Sequence, residues 1–72
     1  MMARGTYRID TDKVLRLAFK KGWSEHELLK KAGLSPHLIY RSKRGQTHYP
    51  STIHVLALTL GVEPEEITIK EK

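Results

Sequence analysis

Residues 23–45 read WSEHELLKKAGLSPHLIYRSKRG, and this stretch decides the fold because it spells two short helices separated by one tight turn. Ser24 and Glu27 stand at the spacing of a capping box, in which hydroxyl and carboxylate each take a backbone N–H that a helix start leaves unpaired. Trp23 and Leu28 flank the box where two apolar side chains close over a first turn. Gly33 falls where the helix must end in a left-handed residue, a conformation that glycine reaches without steric cost. Ser35 is then placed to cap a second helix with Pro36 as its first residue, and Leu34 and Ile39 repeat the staple spacing. Helices over residues 24–32 and 35–44, joined by so short a turn, cross steeply, which is the helix-turn-helix arrangement. Away from its apolar stripe the second helix carries His37, Tyr40, Arg41 and Arg44, a set suited to a polyanion.

Working outward, residues 1–9 form a short N-terminal arm with two arginines, Arg4 and Arg8. Asp10 caps a first helix in which Val14, Leu17 and Ala18 make an apolar stripe, widened by Leu15 and Phe19. Lys13, Arg16 and Lys20 lie on its other side, and Gly22 ends it. Gly45 closes the third helix and opens a polar loop, GQTHYP, followed by Ser51 as the cap of a fourth helix with Ile53, Leu56, Ala57 and Leu60 at helical spacing. Gly61 closes that helix, and Val62-Glu63-Pro64 starts a fifth, short one with Ile67 opposite Val62. The tail ITIKEK is either helical or extended; in the second case its alternation suits pairing with Thr6-Tyr7-Arg8-Ile9. The expected fold is therefore all-α, with five short helices.

At 72 residues the chain is one domain near the lower limit for a self-sufficient core, divided into an arm (1–9), a helical core (10–67) and a tail (68–72). It has no cysteine, so neither disulfides nor thiolate metal sites supplement that core. No apolar run approaches a membrane span, and Arg4, Arg8 and Asp10 interrupt any signal-peptide pattern, so a cytoplasmic location is expected. The net charge of +5 is unevenly placed. Residues 1–45 hold eleven Lys or Arg against four Asp or Glu, whereas residues 46–72 hold two against four. Such a division gives one face to a polyanion and the other end to something else, such as a partner subunit.

With its helices in this order, the chain resembles the Cro/lambda-repressor-like (XRE) family of helix-turn-helix DNA-binding proteins over about residues 12–67. The resemblance is carried by KKGWSEHELLKKAGLSPHLIYRSKRG, by the loop to Pro50, and by LALTLGVEPEEI, which is similar to the family's "LAKALGV-P-EEL" ending. Three positions depart from the pattern. Glu25 replaces a glutamine that braces a phosphate, and its carboxylate repels one, leaving that contact to His26 or the helix N-terminus. Leu29 replaces a smaller alanine at a helix crossing. Ser42 stands where an apolar core residue is usual, a gap that Leu29 is placed to fill.

The resemblance implies that the third helix enters the major groove, where Ser35, Pro36, His37, Tyr40 and Arg41 would face base edges. Arg41 suits that role best, because a guanidinium grips guanine O6 and N7 with two hydrogen bonds. Pro36 offers apolar surface to a thymine methyl but also serves simply as a good helix starter. Backbone phosphates would be met by Ser24 and His26 at the second helix and by Lys43, Arg44, Gln46, Thr47 and Tyr49 after the third. Lys20, Lys21, Arg4 and Arg8 add cations that can follow the backbone. Lys43 equally complements the dipole of its own helix.

The four histidines, His26, His37, His48 and His54, lack metal-ligand spacing and read as solvated or phosphate-facing. No cofactor is implied, and nothing in the pattern suggests an enzyme, since so small a core leaves little room for a substrate cavity. Trp23 reads as a staple and core residue. The leading expectation is a homodimeric repressor, of phage, plasmid or mobile-element type, on a palindromic site in double-stranded DNA. Its dimer contacts are expected at the end of the fourth helix and over residues 62–69. Two alternatives keep the fold: an antitoxin-like protein whose acidic C-terminal end binds a protein partner, and a protein-interaction adaptor without specific DNA affinity.

Overall fold

Capping and glycine signals divide the chain into four α-helices, seen in a computed structural model that describes residues 6–69. They are α1 (Thr11–Lys20), α2 (Glu25–Ala32), α3 (Leu38–Lys43) and α4 (Pro50–Leu60), followed by a single 3-10 turn, Pro64–Ile67. The described residues form an all-α fold, but with four α-helices rather than five. The last element stops after four residues because Thr68 is already extended (φ −107°, ψ 145°) and pairs with Ile9.

Asp10 caps α1 by accepting the Lys13 N–H at 3.2 Å. The capping box at α2 is complete: Glu27 N–H donates to Ser24 Oγ at 3.1 Å, and Ser24 N–H donates to Glu27 Oε1 at 2.9 Å. At the far end of α2, Gly33 is left-handed (φ 71°) and lets the Leu34 N–H reach back to the Leu29 carbonyl at 2.9 Å. Two expected starts are moved. α3 begins at Leu38 instead of Ser35, because Ser35-Pro36-His37 forms a turn in which Leu38 N–H bonds the Ser35 carbonyl at 3.1 Å. The Ser35 hydroxyl accepts from the His37 N–H at 3.2 Å, so it caps that turn, and α3 itself has no side-chain cap. α4 begins at Pro50 with Tyr49 as its flanking residue, and Ser51 lies inside the helix. Proline fits a first helical position, where an N–H would go unpaired.

The core takes Val14 and Ala18 from α1, Leu28 and Leu29 from α2, Leu38 and Ile39 from α3, four residues of α4, and Ile67. Ile53, Leu56, Ala57 and Leu60 are those four, all buried at the expected spacing. Phe19, by contrast, does not widen the buried stripe of α1. It sits one residue past Ala18, about 100° around the helix, and is 80% exposed. α1 touches α2, α3, α4 and the 3-10 turn, while α4 packs on α2 and that turn.

Residues 7–10 and 67–69 clasp this bundle. Tyr7 pairs antiparallel with His48 through two backbone hydrogen bonds of 2.8 Å, and Ile9 pairs antiparallel with Thr68. Asp10 N–H to the Ile67 carbonyl (2.8 Å) and Ile69 N–H to the Arg8 carbonyl (2.9 Å) complete the second pairing. Residues 68–69 thus adopt the extended alternative, with the arm as the middle of three short segments. Arg4 and residues 70–72 lie outside the described residues.

Candidate nucleic-acid interface

α3 is short, and its burial pattern fixes what it shows. Leu38, Ile39 and Ser42 turn inward. His37, Tyr40, Arg41 and Arg44 stay exposed and recur at i, i+3, i+4 and i+7, one outward stripe. Lys43 is also exposed, but helical geometry sets it about 100° around the axis from Ser42 and away from that stripe. Pro36 is exposed and Ser35 is half-buried in the turn that precedes α3. Between Glu27 and Glu63 the chain has no carboxylate at all, so α3, the loop and α4 carry no local negative side chain.

Within the stripe, Arg44 and Tyr40 form a unit. The guanidinium donates to the Tyr40 hydroxyl at 3.0 Å and lies 5.6 Å from the ring centroid. An i, i+4 pair of this kind holds a long cation in one direction at little cost, and the guanidinium keeps further N–H donors. At α2 the Ser24 hydroxyl accepts the Glu27 N–H, which leaves its own proton to donate outward. His26 and Glu25 are exposed beside it. A second aromatic–cation group sits at Trp23, whose half-buried ring has Lys21 at 5.6 Å and Lys31 at 5.2 Å. Lys31 was not legible as a partner, because eight residues and a helix separate it from the ring.

The loop after α3 turns back on that helix: Gln46 N–H bonds the Arg41 carbonyl at 3.1 Å. Gln46, Thr47 and Tyr49 are exposed, and Thr6 of the arm donates to Thr47 Oγ1 at 2.6 Å. His48 departs from expectation. It is 7% exposed, neither solvated nor phosphate-facing, and its Nε2 lies 2.6 Å from the hydroxyl of Ser42, itself buried. Burial, and secondarily the positive charge of Arg41, push its pKa below the usual 6.5. Leu29 is wholly buried in the core, but the polar partner that answers Ser42 is this imidazole. No local signal announces the pair, since it spans a six-residue separation across an irregular loop.

Among the described residues no three His, Cys, Asp or Glu cluster as metal ligands would, and no helix is long and apolar enough to cross a membrane. No protein-family model matches the chain, and no curated protein matches it in sequence. Among solved structures it is similar to a hypothetical transcription factor, NHTF, from Neisseria, with a TM-score of 0.60 and 24% identity. That likeness covers 92% of this chain and 82% of the other. It concerns the fold.

Proposed function

We propose that this chain is a sequence-specific DNA-binding transcriptional regulator whose α2 and α3 act as a helix-turn-helix of the Cro/lambda-repressor-like kind. The observation that carries the reading is the outward stripe of α3, His37-Tyr40-Arg41-Arg44, set within a segment free of carboxylates. Side chains there reach base edges, with Arg41 as the reader of guanine. Ser24, His26, Lys43, Arg44, Gln46, Thr47 and Tyr49 hold phosphates and set the register. The fold likeness to a protein described as a transcription factor supports the same reading. Repression by occupying a promoter needs no catalytic step, and the single domain works where the DNA lies, in the cytoplasm.

The protein acts as a homodimer in this reading, since one module this small covers few base pairs and two half-sites give useful specificity. Support comes from α4, which has no charged residue and carries a second apolar stripe on its outer side. Val55 and Leu58 are exposed there (Leu58 at 70%) and Val62 is half-buried. Ile67 is fully buried in its own core, so the contact shifts from the last residues toward this face. Selecting bound sequences from a random duplex pool tests the proposal. A palindromic consensus is expected, with affinity falling steeply as salt rises because phosphate contacts release counterions. Binding without sequence preference, or indifferent to salt, refutes it.

A further inference from the structure

We propose that Ser42 and His48 form a buried polar strut that positions the loop 46–49 against α3, so that loop and helix present one rigid surface to duplex DNA. The inference rests on the DNA-binding reading above. Each half of the strut explains the other. A serine alone at this buried position would leave an unpaired hydroxyl, and an imidazole alone would leave an unpaired ring nitrogen, both costly. Together they close at 2.6 Å. The backbone of His48 is fixed as well, donating to and accepting from Tyr7 at 2.8 Å. In extended backbone, neighbouring side chains point to opposite sides. Anchoring His48 inward therefore aims Thr47 and Tyr49 outward, and both are exposed. Neither touches the strut's chemistry; His48 is a positioning residue that acts through them.

The strut works with a neutral ring. An imidazolium would be buried beside Arg41, the cation already acting on it. The other charged or titratable side chains on the elements joined to it are Tyr40, Lys43 and Arg44 on α3, Tyr7 and Arg8 on the arm, Tyr49 next to it in the loop, and His54 on α4. Glu65 lines a groove with Tyr7 and Thr47. Because the folded-state pKa lies below the unfolded value, the stabilisation is complete above about pH 6.5 and is lost as the pH falls from there through the folded value.

The test uses the full chain, 15N-labelled, with amide exchange followed by NMR and affinity measured on the pool-selected duplex and a random-sequence duplex. Ser42→Ala should speed exchange at the Tyr7 and His48 amides about tenfold relative to those of α4, and weaken the selected duplex by about tenfold. Ser42→Thr, which keeps the hydroxyl, should restore both. His48→Gln keeps a polar group but cannot titrate, so the ratio of wild-type to variant affinity should fall as acidification from pH 8 carries the His48 ring through its own titration, followed by NMR. Unchanged exchange at Tyr7 and His48, no rescue by threonine, or a pH-independent affinity ratio each overturns the proposal. So does a binding loss that merely follows global unfolding. A wild-type chain that binds neither duplex sinks the DNA reading and this role with it. Normal wild-type binding with any of those outcomes sinks the role alone.

Discussion

The helices α2 and α3 lie on either side of one turn, yet they are secured differently. α2 opens with a reciprocal capping box and ends on a left-handed glycine, both written within its own residues and their immediate neighbours. α3 has six residues, no side-chain cap and a preceding turn that borrows the serine expected to start it. What holds α3 is tertiary: Leu38 and Ile39 in the core, and Ser42 against His48. A helix so short is not stable by propensity. The face proposed to read DNA is therefore a property of the whole domain, whereas α2 is largely self-specified.

The largest expected effect tests what holds α3. Ile39 is fully buried, so Ile39→Ala should cost about 2–5 kcal/mol in a urea melt, from transfer and cavity together. A domain of this size has only about 4–10 kcal/mol in hand, so a partly unfolded population is expected at room temperature. A cost under about 1 kcal/mol would mean that α3 is held by something other than its buried face.

Next in size is the contrast within α3 itself. Arg41→Ala should weaken the selected duplex by about 1–3 kcal/mol and random DNA much less, because a bidentate base contact is lost in the first case and one charge in the second. Arg44, held against Tyr40 at 3.0 Å, should on replacement weaken both duplexes more equally. Circular dichroism must first show both variants folded. Equal loss on both duplexes for Arg41→Ala would remove it as the base reader.

The same contrast explains what was legible in the sequence. The capping box, the glycine stops, the stripe of α4 and the pairing of arm with tail rest on spacings of a few residues or on alternation, which sequence displays directly. The Ser42–His48 pair depends on neighbours that only the folded chain supplies. Thr6 meeting Thr47 is of this second kind, at a separation of 41 residues. Helical spacing placed the Tyr40–Arg44 stripe on one face, but it carried no sign that the loop beside it is fastened by a buried imidazole.

The smallest predicted effect tests the contrast most directly. Ser24 and Ser35 both stand before a helix, and both hydroxyls accept a backbone N–H, at 3.1 Å and 3.2 Å. Ser24 belongs to a two-bond box at a true helix start, so Ser24→Ala should cost about 1 kcal/mol. Ser35 receives one bond within a turn whose backbone is already closed by Leu38 N–H to the Ser35 carbonyl. Water can replace its hydroxyl there, since the donating His37 N–H lies at an exposed residue. Ser35→Ala should therefore cost only a few tenths of a kcal/mol, within the usual range for surface changes. Urea melts of the two single variants, run side by side on the full chain, decide the point. If both serines cost the same, α3 carries a local start signal of its own, and the division between a self-specified α2 and a domain-held α3 fails.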